Sequence, residues 1–161
     1  MSSVTKGDEK MTWQAKLSEN DRQLMNQNQR LLQHLNTGRH CRAEINQLVS
    51  ELTGQQLDSD TEIRLPFYTD YGRNIRIGKN AFINCNVMMS DIAGITIGKN
   101  VEIDSGVSLL TTNYSQKELV MAPIKIKDNV KIGAQVIILP GVTIGEGSIV
   151  ETGSIVSKNI N

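Results

Sequence analysis

Aliphatic residues recur at every sixth position from Ile126 onward: Ile126, Ile132, Ile138, Ile144, Val150 and Val156. A second register sits two places earlier in each hexad, at Ile124, Val130, Val136, Val142, Ser148 and Ser154. Glycine and small polar residues fill the intervals, as in Ile132-Gly133-Ala134-Gln135. A sustained period of six fits neither an amphipathic helix nor a simple hairpin pair. It predicts an all-β solenoid. One hexad makes one short strand, too small to bury its own apolar side. Three hexads close a triangular coil of roughly eighteen residues, and stacked coils share one core. The competing reading, a Val/Ile-rich sandwich with turns at the glycines, has no reason to hold one phase over six hexads.

The same rhythm runs upstream through Ile77, Ile83 and Met89, then, after a two-residue shift around 90–94, through Ile97, Ile103 and Leu109. Extending it in sixes places Leu65 and Tyr71 in the inward register, with an opening coil at Glu62–Tyr71. After Leu109 the rhythm stops until Ile126. The interruption, about 111–122, is expected to be a loop on a rigid scaffold, the kind of place where function concentrates.

Before the hexads the period changes to that of helices. Ser18-Glu19-Asn20-Asp21 supplies a cap and early acidic residues, and Leu24, Leu31, Leu32 and Leu35 mark one face up to Thr37-Gly38. A second helix is predicted from about Arg42 to Leu52, with Ile45, Leu48, Val49 and Leu52 as its stripe before Gly54. Residues 1 to about 16 show no period and are expected to be loosely held. The division is thus a tail with a two-helix cap over 1–56 and a solenoid over 57–161. The helices are expected to cover the first open coil, a role compatible with a lid that shapes a ligand site.

Composition narrows the function. Aromatics are 4% of the 161 residues, which suits a narrow aliphatic core, and 17 basic residues balance 17 acidic ones. That balance implies neither nucleic acid nor an acidic membrane surface as partner. The longest apolar run, Val136–Leu139, is far below bilayer length. The polar first twelve residues are no signal peptide, so a cytoplasmic protein is expected, with Cys41 and Cys85 as free thiols. The histidines are His34 and His40, none later in the chain.

With its two-helix lead-in, Pro66-Phe67-Tyr68-Thr69-Asp70-Tyr71-Gly72, and Ile138-Leu139-Pro140-Gly141-Val142-Thr143-Ile144-Gly145, the chain resembles the hexapeptide-repeat acyltransferases. It is most similar to the maltose and galactoside O-acetyltransferases, over about residues 18–160. The resemblance implies a left-handed parallel β-helix, against the usual right-handed crossover rule. It also implies a homotrimer whose active site lies between neighbouring β-helices, with acetyl-CoA as co-substrate, a sugar or other small hydroxyl as acceptor, and no metal. Position by position, Asp70, Asn84 and Asp91 match acceptor-side residues, while Ala134, Thr152, Ser157 and Lys158 match positions that meet CoA. Asn84 and Asp91 have an alternative role in satisfying corner amides, and Lys158 one as a solvated end residue.

Acetyl transfer to a hydroxyl needs a general base and donors for the oxyanion. In these relatives the base is a histidine in the interruption, and its position here falls on Tyr114, or on Asn113 if the gap moves by one. Tyrosine lies about three pKa units above neutrality, a penalty of ~4 kcal/mol for phenolate at pH 7. Lys117 is the nearby cation that would offset it, and Glu118 an alternative base if buried. Lys131 stands where relatives often carry tryptophan, and the interruption is shorter than theirs. Two functions remain: a CoA-dependent O-acetyltransferase, or an inactive trimeric relative acting as a binding scaffold. A third enzyme with this fold, the metal-dependent carbonic anhydrase, needs three imidazoles from the coils. The coils here supply none.

Overall fold

Each hexad becomes one side of a triangle. Within it, the two aliphatic registers point inward, the residue between them points out, and the next three turn the corner. Val101 and Ile103, or Val107 and Leu109, are wholly buried around an outward Glu102 or Ser108. Each inward side chain contributes roughly 1.5–3 kcal/mol of burial. At the corners, the third residue after the inward one takes a left-handed backbone, with asparagine at Asn80, Asn86, Asn100 and Asn129 (φ 55, 61, 56 and 60°). Asparagine tolerates that region far better than a branched residue does.

The computed structural model describes residues 13–161. Its strands stack into three parallel sheets, the faces of a left-handed parallel β-helix. Face A holds β1 (Glu62–Ile63), β4 (Phe82–Ile83), β7 (Glu102–Ile103), β12 (Lys131–Ile132) and β15 (Ile149–Val150). Face B holds β2 (Phe67–Thr69), β5 (Val87–Ser90), β8 (Ser108–Leu110), β13 (Ile137–Ile138) and β16 (Ile155–Val156). Face C holds β3 (Ile75–Ile77), β6 (Ile95–Ile97), β11 (Ile124–Ile126) and β14 (Thr143–Ile144), and Ile160 adds a single bridge to Ile144 in the fifth coil.

The first coil corrects the expected register. Ile63 and Thr69 take the inward positions, and Leu65 and Tyr71 are only half-buried. Eight residues, not six, separate Thr69 from Ile77, the same two-residue excess that separates Met89 from Ile97. Sixes counted backward from Ile77 therefore slip by two. The 111–122 interruption is also more ordered than a loop. It is an antiparallel hairpin of β9 (Thr112–Ser115) and β10 (Glu118–Met121), closed by the two-residue turn Gln116-Lys117.

Two helices cover the first coil, α1 (Glu19–Thr37) and α2 (Arg42–Thr53). Ser18 caps α1 in a reciprocal pair with Asp21, and Gly54 ends α2 in a left-handed conformation (φ 68°). Residues 1–12, part of the expected loose tail, lie outside the described residues, and Trp13–Lys16 form a short 3-10 turn. Leu32, Leu35, Val49 and Leu52 join the solenoid core.

A sheet edge needs partners for its backbone, and amide side chains supply them on all three faces. Asn36 donates to the Phe67 carbonyl (2.9 Å) and accepts from the Phe67 N–H (3.0 Å). Gln55 does the same at Ile77 (2.7 and 2.9 Å). Asn46 donates to the Thr61 carbonyl beside β1 (2.9 Å). The cap thus imitates a missing coil.

Candidate active site

The residues carried over from the family resemblance fall on the two corners that border face B. Asn84, Ala134 and Thr152 lie on the A–B corner; Asp70, Asp91, Ser157 and Lys158 lie on the B–C corner. Along the solenoid axis they are also ordered. Asp70 is in the first coil and Asn84 and Asp91 in the second, the hairpin leaves the third, Ala134 is in the fourth, and Thr152, Ser157 and Lys158 are in the fifth. Four rungs of about 4.8 Å put the two ends about 19 Å apart.

Face B itself is the apolar one. Its outward column runs Tyr68, Met88, Ser108, Ile137, Ile155. Tyr68 is 44% exposed and Ile155 68%. The outward column of face C is Arg76, Thr96, Lys125, Thr143, and face A mixes Glu62, Phe82, Glu102, Lys131 and Ile149. Lys131, at the relatives' tryptophan position, pairs with Glu102 across 3.8 Å of exposed surface.

On the B–C corner the polar groups are stitched together. Asp70 accepts a hydrogen bond from the Ser90 hydroxyl, and the Thr111 hydroxyl donates to the Ser90 carbonyl (2.6 Å) while accepting from the Ala93 N–H (3.0 Å). Asp91 lies beneath this surface with no exposure. One oxygen accepts from the Tyr71 N–H (2.8 Å) and the other from the Asn74 N–H (3.1 Å). Burial pushes its carboxyl above the ordinary range, and these backbone donors hold the shift in check. Asp91 therefore performs the amide-satisfying role and shapes the corner from within. Beside it, the Tyr71 hydroxyl donates to Asp21 of α1 (3.1 Å), which ties the cap to this corner. Burial, and then the Asp21 carboxylate, raise the Tyr71 pKa.

The A–B corner is simpler. The Asn84 side chain accepts from the Cys85 N–H (2.8 Å) and donates to Asp104 one coil below (3.0 Å), again amide and corner work. Ala134 and Thr152 are neighbours in adjacent coils, where the Gly153 N–H donates to the Ala134 carbonyl (2.9 Å). A Cβ at Gly133 would stand 2.6 Å from the Thr152 nitrogen, so glycine is required for this close approach. Ser157 and Lys158 are exposed on the opposite corner, across face B.

The hairpin projects from the B–C corner. Its pairing sets Tyr114 opposite Leu119, and Asn113 opposite Val120, so these two candidates for the base position face opposite ways. Tyr114 is 58% exposed, and Glu118 is exposed near the tip, not buried as a carboxylate base would need to be. Both turn residues have positive φ (Gln116 50°, Lys117 67°). Ser90 and Thr111, which hold the corner beneath the hairpin, did not stand out in the sequence. Their signal is positional: Ser90 ends one face-B strand and Thr111 follows the next, at the corner where the spacing exceeds six. Cavities of about 1160 and 410 Å3 lie against the cap, away from these residues. Among the described residues no group of three His, Cys, Asp or Glu is placed to hold a metal ion, and no helix is long and apolar enough to cross a membrane.

Comparison with known proteins agrees with this architecture. The family described as bacterial transferase hexapeptide (six repeats) matches residues 123–158, and the hexapeptide repeat of succinyl-transferase matches 74–111. Galactoside O-acetyltransferase of Escherichia coli is 43% identical over 102 residues, covering 59% of this chain and 50% of that protein. A hexapeptide-repeat acetyltransferase of Vibrio cholerae, solved with acetyl coenzyme A, superposes with a TM-score of 0.83 at 36% identity, covering 89% of this chain and 81% of the other. A maltose O-acetyltransferase of Clostridium difficile superposes equally well (TM-score 0.83, 29% identity, 89% and 81% covered). The chain spans about half to three fifths of the length of the curated relatives it matches. On both sequence and fold, the chain belongs to the hexapeptide-repeat acyltransferases, beside the maltose and galactoside O-acetyltransferases.

Proposed function

We propose that this protein is an acetyl-CoA-dependent O-acetyltransferase that acts on a hydroxyl of a sugar or small alcohol, assembled as a homotrimer. The observation that supports the reading is the axial order along face B of the residues that the resemblance assigns: those matched to the acceptor side in the first two coils, the hairpin in the third, those matched to CoA in the fourth and fifth. A donor and an acceptor entering from opposite ends of one cleft would meet at the hairpin. The same face supports the trimer. The A–B and B–C corners lie on opposite edges of face B, and a cyclic, head-to-tail contact brings one edge of a chain against the other edge of its neighbour. The apolar column from Tyr68 to Ile155 is the surface such a contact would bury.

When bound, acetyl-CoA supplies the activated acetyl group as a thioester, and CoA leaves as the thiol. Lys158 offers a point charge to a phosphate, and the polar Thr152 and Ser157 line the approach. Asp70, oriented by the Ser90 hydroxyl, keeps an oxygen to accept from an acceptor hydroxyl. The proton of that hydroxyl goes to the base, a position that the resemblance assigns to Tyr114, or to Asn113 if the gap moves by one. A tyrosine hydroxyl in place of the relatives' imidazole is expected to give slow turnover.

That same residue supports the second reading, a trimeric binding protein without turnover, since no histidine follows His40. Thiol release from acetyl-CoA with a panel of sugars separates the two, run beside calorimetric CoA binding. CoA binding with no acceptor-dependent release for any sugar would leave the binding protein. In Tyr114→His, a positioned imidazole is worth roughly 10²–10⁴-fold in rate, so a rise of that order shows an otherwise intact cleft.

A further inference from the structure

The larger cavity, about 1160 Å3, lies on the cap between the outer side of α2 and the 54–59 segment, and reaches the B–C corner of the first coil only at Arg73. Arg42 stands at one end and Arg73 at the other, with Asn46, Ser50 and Gln55 between them and Glu51 on the rim. No aromatic residue contributes to the wall. Its chemistry is that of amides, hydroxyls and two guanidiniums.

Three features mark this wall. Among the described residues the Arg73 side chain makes no hydrogen bond or ion pair, and its Nε is buried without a partner. Asn46 commits its Nδ2 to the carbonyls of Asp58 (3.3 Å) and Thr61 (2.9 Å), and its Oδ1 is likewise buried without a donor. Two of the four such orphan atoms in the described residues therefore belong to this one cavity. The third feature is Gly54. A Cβ there would stand 2.3 Å from Arg73 Nη1, so the bare glycine backbone makes the space the guanidinium occupies. Glycine at this helix end serves the left-handed turn and the cation at once.

We propose that this groove is a binding site for a small polyhydroxylated anion, a sugar acid or a sugar phosphate. Arg73 takes the anionic group through its free donors, as guanidinium groups take carboxylate and phosphate oxygens. The Asn46 oxygen is the acceptor left for a neighbouring hydroxyl, while the Ser50 hydroxyl holds the wall by donating to the Asn46 carbonyl (2.6 Å) and accepting from the Leu57 N–H (3.0 Å). Arg42, which donates to the Asp60 carbonyl (2.7 Å), retains donors for the far end of the ligand. The groove is formed by one chain and needs no neighbouring subunit.

The test uses the full chain and three probes: glucuronate, glucose 6-phosphate and neutral galactose. Titration calorimetry and the shift in unfolding temperature are read together, since a ligand of the native state raises that temperature. At least one acidic probe is expected to bind tenfold more tightly than galactose, and Arg73→Gln is expected to weaken it tenfold or more. Arg42→Gln should weaken it several-fold and carries the test if Arg73→Gln does not fold. Binding of one acid and not the other supports the site and names its anion. Equal affinity for galactose and both acids, or acid binding unchanged in the folded arginine variants, overturns it.

Discussion

Two corners of the same solenoid solve the same turning problem in opposite ways. The C–A corner repeats one solution: Asn80 donates to Asn100 (3.0 Å), Asn100 donates to Asn129 (3.1 Å), and Glu146 ends the ladder at 3.5 Å. The B–C corner never repeats. It carries two extra residues in each of the first two coils and a hairpin in the third, and it returns to six in the fourth. At the regular corner each rung is satisfied by the rung above and below. At the irregular one every departure needs its own device: the Asp91 carboxylate, the Thr111 hydroxyl, the cross-strand pairs of the hairpin. A corner that needs so many separate devices is not the most economical way to turn, and the candidate site lies on it.

The largest expected effect tests how tightly the regular corner is bound. A Cβ at Gly78 would sit 2.4 Å from the Gly98 carbonyl carbon and 2.8 Å from the Lys99 nitrogen, all backbone. Gly78→Ala must push two coils apart, a loss of about 3 kcal/mol or more. Gly94, on the irregular corner, has only the Pro123 Cβ at 3.9 Å, so Gly94→Ala meets its positive φ alone, about 1–2 kcal/mol. Urea unfolding of both variants decides it, and equal losses would remove the contrast between the corners.

Next comes Asp91→Asn, the interior support of the irregular corner. An amide can accept from one of the two backbone donors and leaves the other without an acceptor, about 1–2 kcal/mol at neutral pH. The pH dependence carries the sharper prediction. Because burial raises the Asp91 pKa above 3.8, the folded state holds this proton more tightly than the unfolded one. Its contribution is complete below pH 3.8 and declines as pH rises through the folded pKa. The stability gap between the natural protein and Asp91→Asn should therefore narrow with rising pH. A gap that widens would mean that the carboxylate is preferred in its charged form.

A smaller loss is expected from the ladder itself. Asn100→Ala gives up two exposed side-chain bonds and places a Cβ residue at φ 56°, about 1 kcal/mol, while Asn100→Gly relieves the dihedral and recovers part of it. Equal losses in the two variants would assign the ladder's value to its hydrogen bonds alone.

The two corners were also unequally legible in the sequence. Wherever the spacing is six, each inward residue could be named from the pattern, because one stacked core imposes one period. The first coil was misassigned at Leu65 and Tyr71 because an insertion of two keeps the strand alternation and hides the slip. The hairpin was invisible for a related reason: its two-residue turn is Gln116-Lys117, with none of the Asn-Gly or Asp-Gly chemistry by which such turns announce themselves. Asp91 could be picked out as a special residue, but whether its carboxylate faces a ligand or two backbone amides depends on a neighbouring coil twenty residues away. No local pattern holds that information.

The hairpin turn gives the smallest and most discriminating change. Both central residues have the positive φ of a type I′ turn, a geometry that favours Asn-Gly, so the double variant Gln116→Asn, Lys117→Gly should stabilise the hairpin by about 1 kcal/mol. The tip makes none of the inter-coil contacts that hold the solenoid, so the global unfolding midpoint should hardly move. Amide hydrogen exchange across 112–121 should slow by about fivefold, the factor that corresponds to that energy. Slower exchange at an unchanged midpoint would show a hairpin that opens separately from the coils, as expected of the irregular corner. A midpoint that rises with the local protection would instead make the hairpin part of the cooperative unit, no more independent than the asparagine ladder.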